Sequence, residues 1–214
     1  MVAGAGGLAH NLPARDTLFR RAHMLLAIHA EDDPTIKLEL EKRIARFGLD
    51  IPIEEHPLIR SAEACYTSSS EAVERAKAFG TRLHVLHIST ARELELFEPG
   101  PLDAKRITAE ACVHHLWFTD ADYAAKSSLI KWNPAVKTKA DRDAIRSALL
   151  DGRIDVVATD HAPHLLPWKP ETDPKEYLAA LKIRTSTLRN KAQKFDFKTC
   201  KVDDKKDLLP WPII

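Results

Sequence analysis

Four times along this chain a short apolar run ends in histidine or aspartate, and these runs alternate with segments of helical spacing. Parallel strands need long crossovers, usually helical, and the crossovers are right-handed, so the alternation calls for a parallel α/β sheet. The sharpest instance is Ile154 to His164, IDVVATDHAPH. Ile-Asp-Val-Val-Ala packs inside a parallel sheet, whereas a carboxylate and two imidazoles just past its end serve no packing purpose.

The other runs are Met24 to Ile28, Leu83 to Ile88 and Ile107 to Val113, ending near His29, His87 and the pair His114-His115. Between them the spacing predicts a short helix from an Asp16 cap to Arg21. A second helix opens at Pro34, with Ile36, Leu40, Ile44 and Phe47 on its inner face and Gly48 as its stop. Ser61 to Phe79 and Lys139 to Leu150 read as helices, and Ala91 to Phe97 as a shorter one after the Ser89-Thr90 cap. Met1 to Asn11 and Ile51 to Arg60 read as loops. Polar groups at one end of all four strands favour a TIM-type (β/α) barrel, whose strands converge on one mouth. A doubly wound nucleotide-binding sheet would want a G-x-G-x-x-G turn, which the chain lacks.

Composition narrows the classes. Lys plus Arg at 32 against Asp plus Glu at 31 gives no global field for nucleic acid or an anionic membrane. Three scattered cysteines, Cys65, Cys112 and Cys200, make no disulfide framework and suit a reducing, cytoplasmic setting. No apolar run approaches the roughly 20 residues of a membrane span.

His29, His87 and Asp160, each at the same end of its own strand, point to a metal site, because imidazole nitrogen and carboxylate oxygen suit Zn²⁺. Glu31, Asp32 and Asp33 read more readily as the acidic first turn of the next helix than as partners of His29. His84 is expected on the helix side, and His10, His23 and His56 are structural. Of His114 and His115, adjacent on a strand, at most one can face inward, in a supporting role.

The segments AIHAEDD, HVLHIST, ITAEACVHHL, KWNPAVKTKADRDAI and IDVVATDHAPH, in that order, resemble the second half of a dihydroorotase of the amidohydrolase superfamily, over residues 1–164. The resemblance implies zinc-dependent, reversible opening of the cyclic amide of dihydroorotate to N-carbamoyl-aspartate in pyrimidine biosynthesis, with two Zn²⁺ per site. Matched motif by motif, His29 and His87 correspond to ligands of one zinc, Asp160 to a ligand of the other that also handles the proton, and Asn133 and His164 to substrate-binding residues. Hydantoinases, dihydropyrimidinases and allantoinases are the nearest alternatives by motif.

The chain departs from that pattern as well. The family's first half carries a His-x-His pair and a carboxylated lysine or aspartate bridging the metals, and the chain contains no His-x-His. The ligand set is therefore incomplete, and the chain reads as a truncated barrel with exposed strand edges, suited to a homo-oligomer or a complementing N-terminal half. A non-catalytic dihydroorotase-like binding or scaffold module is the other class of reading. Residues 165–214 form a charged, proline-containing tail foreign to the family, poorly ordered apart from a helix expected at Glu176 to Gln193.

Overall fold

The structure, a computed structural model, describes residues 2–3 and 12–160, with side chains from Ala14 onward. The expectations for His10, His164, Cys200 and the tail at 165–214 fall outside those residues.

Five parallel strands form the sheet: β1 (Val2–Ala3), β2 (Leu26–Ile28), β3 (Leu83–Val85), β4 (Ile107–Cys112) and β5 (Val156–Ala158). They lie side by side in chain order, with Leu26 opposite Leu83, Leu83 opposite Ile107, and Glu110 opposite Val156. A doubly wound sheet reverses its strand order at a switch point; this sheet does not, which is barrel topology. The chain is thus α/β, with the parallel sheet of part of a barrel.

Seven helices accompany the strands among the described residues: α1 (Leu12–Arg21), α2 (Asp33–Phe47), α3 (His56–Ile59), α4 (Ala62–Phe79), α5 (Val113–Trp117), α6 (Tyr123–Lys126) and α7 (Lys139–Leu150). Ser61 caps α4 by accepting from the Ala64 amide, and Gly80 ends it at φ 66° in the left-handed region. A reciprocal box of Thr138 and Asp141 opens α7, and Asp141 Oδ1 also accepts from the Ala91 amide at 2.8 Å, tying α7 to the loop beyond β3.

Alternation along each strand sorts the side chains. Leu26, Ile28, Leu83, Val85, Ala109 and Ala111 join Ala72, Val73 and Ala76 of α4 and Ile145 and Ala148 of α7 in one core on the helix side. Ala27, His84 and Thr108 share a row on the opposite, inner face, followed by Glu110.

Several expectations give way. Asp16 lies inside α1 rather than capping it, and accepts from Arg75 Nε at 3.0 Å. Val2–Ala3, expected as loop, pairs with β2, and the segment at 51–60 contains a short 3₁₀ turn and α3. Arg92–Leu96 forms 3₁₀ turns instead of an α-helix, with Glu93 drawn into hydrogen bonds with Thr90. The helix opening at Pro34 forms as α2, but none of its residues is buried and Ile44 is 40% exposed. Helical spacing reports a face that can be buried, not that a partner covers it.

β5 is held through Asp155. Its Oδ2 accepts from the Ala109 amide at 2.9 Å and its Oδ1 from Lys105 Nζ at 2.7 Å, with Lys105 also donating to the Gly152 carbonyl. Both side chains are under a tenth exposed. Asp155→Ala strands a buried ammonium without its carboxylate, and urea unfolding of the full chain should show a loss of about 3–5 kcal/mol.

Candidate active site

β2 runs out at Ile28, which places His29 at the carboxyl edge of the sheet; β3 runs out at Val85, two residues before His87. The Leu86 amide donates to the Ile28 carbonyl at 3.0 Å and the Ile88 amide to the Glu110 carbonyl at 2.7 Å, so the chain is gripped on both sides of His87. His87 itself takes φ 41°, an uncommon conformation for a residue with a side chain, held only where its surroundings over-determine it. A buried network behind the loop does this. Glu93, 2% exposed, accepts from Ser69 Oγ at 2.6 Å, from Thr90 Oγ1 at 2.9 Å and from the Ser89 amide at 3.3 Å.

The result is contact between the two histidines: His29 Nδ1 lies 2.9 Å from His87 Nε2, with the rings edge to face. On the far side of His29, Nε2 is 3.1 Å from Glu31 Oε2. Glu31 is 3% exposed and also takes a hydrogen bond from Arg60 Nη1. Burial pushes its carboxyl up, but the His29 hydrogen bond and the charges of Arg60 and Lys137 outweigh that and hold it below its ordinary value. Glu31 is thus a partner of His29, contrary to its expected place in a helix turn. Asp32 is the cap of α2, accepting from the Thr35 amide at 3.0 Å, and Glu31 stands outside the helix. The missed signal was the His-x-Glu spacing, which puts both side chains on one face of an extended segment.

His84 also differs from expectation. Leu83 and Val85 take the helix side, so His84 faces inward, its Nδ1 2.8 Å from Thr108 Oγ1 and its Nε2 3.5 Å from Glu110 Oε2. The Cys112 thiol lies beside Glu110, where burial and the charges of Glu110 and Asp160 push its pKa up to about 12, leaving it a poor nucleophile. His114 and His115 sit in α5 rather than on the strand, which removes the one-in, one-out constraint; both are buried. His115 Nε2 must donate to the Pro134 carbonyl at 3.0 Å, and His114 stacks on Trp132 with centroids 4.3 Å apart.

Asp160 follows β5 at φ 45° and is exposed, close enough for its charge to act on His114. Asn133, also exposed, precedes a cis bond to Pro134. Among the described residues no group of three or more His, Cys, Asp or Glu converges as a metal cage, so His29 and His87 come together and Asp160 does not join them. The pair still fits a zinc: nitrogens on a tetrahedral ion with ~2.0–2.1 Å bonds stand ~3.3 Å apart, within a few tenths of an ångström of the contact seen. Two imidazoles make half of such a set.

No protein-family model matches the chain. It is 32% identical over 172 residues to a dihydroorotase of Lactobacillus johnsonii, covering 76% of this chain and 39% of that protein. With an allantoinase of Bacillus velezensis it shares 34% over 139 residues, covering 65% and 30%. A D-hydantoinase crystal structure from Bacillus sp. AR9 superposes with TM-score 0.68 at 19% identity, covering 83% of this chain and 40% of that one. The chain thus spans about two fifths or less of the length of these proteins.

The buried imidazoles set a pH dependence. Burial, foremost, brings His114 down to about 4 and His115 well below its ordinary value. Between the folded value and the unfolded one of about 6.5, the unfolded chain binds more protons, so stability is whole above that window and lost as pH falls through it. Urea unfolding from about pH 7 to 4 should show His114 contributing on the order of 2–3 kcal/mol of the loss, and His114→Phe should flatten the slope.

Proposed function

The chain has the fold of part of an amidohydrolase barrel and is related to dihydroorotases over three quarters of its length, and on that premise we propose that it carries part of a dihydroorotase active site. The reaction is the opening of the cyclic amide of dihydroorotate to N-carbamoyl-aspartate. The observation that supports this reading most directly is the His29–His87 contact of 2.9 Å at the carboxyl edge of two adjacent strands, backed by a buried carboxylate. His29 Nδ1 and His87 Nε2 would hold one zinc, and Asp160 would contribute to a second. When bound, zinc polarises the attacked carbonyl and lowers the pKa of the attacking water.

Asp160 would take the proton from the water as its oxygen bonds to the carbonyl carbon, and return it to the ring nitrogen as the C–N bond breaks, so one carboxylate acts first as base and then as acid. Its exposure leaves it open to substrate, and its position after β5 sets it at the same edge as the histidines. Asn133 offers a carboxamide donor and acceptor to the substrate from the exposed turn before Pro134. His164, which falls outside the described residues, would complement a substrate carboxylate when protonated.

A second reading is a dihydroorotase-like module that binds rather than turns over substrate; the incomplete convergence of ligands among the described residues is what it has in its favour. Elemental analysis of the purified chain, with dihydroorotate hydrolysis measured before and after addition of Zn²⁺ and of a polypeptide carrying the family's N-terminal half, decides between them. The enzyme reading expects zinc uptake with turnover in at least the complemented sample, and Asp160→Asn should lower that turnover about 10²–10⁴-fold. Zinc-free, inactive protein under every condition would leave the binding module.

A further inference from the structure

We infer that Glu31, anchored by Arg60, is the positioning residue that fixes the tautomer and orientation of His29, and so decides which ring nitrogen His29 presents to His87. The inference rests on the proposed metal site for its purpose, though not for its geometry. Glu31 is 3% exposed, and one of its oxygens is shared between His29 Nε2 and Arg60 Nη1. A carboxylate held ionised beside a guanidinium only accepts hydrogen bonds, so the proton of neutral His29 belongs on Nε2.

That leaves Nδ1 of His29 bare, with its lone pair directed at His87 Nε2, 2.9 Å away. The contact then closes as a hydrogen bond donated by His87 Nε2, which leaves His87 Nδ1 without its proton. The two histidines are therefore unequal. His29 is already in the form that offers Nδ1 to a cation, whereas His87 must move its proton from Nε2 to Nδ1 before it can do the same. A carboxylate behind a ligating imidazole raises its basicity and fixes its ring, and loss of such a partner lowers metal affinity by about 10–100-fold.

Arg60 has its own part. It reaches Glu31 from the turn after α3, where its backbone amide donates to the His56 carbonyl at 2.9 Å. The loop carrying Arg60 thereby sets the angle of the carboxylate, and the carboxylate sets the ring.

The test uses the full chain, metal-free, with ¹⁵N-labelled histidine and long-range ¹H–¹⁵N correlation at about pH 8.5, above the imidazole range. His29→Ala assigns the signals. The expected spectrum has His29 protonated on Nε2 and bare on Nδ1 in the wild type, and mixed tautomers in Glu31→Gln, whose carboxamide can donate as well as accept. Arg60→Gln should shift His29 in the same direction by less. Competition of Zn²⁺ against a chelator should show Glu31→Gln about 10–100-fold weaker than wild type. A wild-type His29 protonated on Nδ1, or a Glu31→Gln spectrum with His29 unchanged, overturns the inference. If Glu31→Gln fails to fold, the wild-type and Arg60→Gln spectra decide it. A wild type with the stated tautomer that binds no Zn²⁺ supports the positioning role while removing the metal-site reading.

Discussion

Five strands run side by side in the order of the chain, each hydrogen-bonded in parallel to the one before, and that ladder decides which residues can meet. Parallel pairing sends every strand out through the same edge, so residues as far apart in sequence as His29, His87, His114 and Asp160 leave the sheet on one side. The two-residue period then divides each strand between a helix-facing row and an inner row. The same register that buries Leu83 and Val85 against α4 turns His84 toward Thr108 and Glu110. Function and packing are written on alternate residues of the same short strands.

Much of this architecture was legible in the sequence, for identifiable reasons. Apolar runs bounded by turns marked β2 through β5, and Ser61 marked the start of α4 because caps answer a local need for hydrogen bonds. What escaped depends on the third dimension. α2 has the period of a buried helix, yet none of its residues is buried. His84 was misplaced because its face follows from its neighbours' register. The short strand β1 was lost in a glycine-rich stretch that reads as loop. At the candidate site, the meeting of His29 and His87 follows from strand order, and Glu31 has a local signal in its spacing from His29, but its second partner, Arg60, is linked to it by no local pattern.

The electrostatics of the site divide it in two. Around His87, His114 and His115, burial dominates and the imidazoles are kept neutral, which suits nitrogens that offer lone pairs or hydrogen bonds rather than charge. Around Glu31, paired charge dominates and a buried carboxyl is kept ionised in spite of its burial. One fixed negative charge stands behind a group of neutral rings, an arrangement that welcomes a cation in front of them. Asp160 and Asn133 are the two expected participants of the described set that are exposed, while His29 is half-buried and His87 buried.

The backbone at His87 has an evolutionary corollary. At φ 41° a side chain costs conformational energy that glycine does not incur, and asparagine incurs less than most. A lineage released from selection for the imidazole would find the backbone at this position easier to form with glycine or asparagine. The histidine in this chain sits against that backbone preference, in the loop nearest the site.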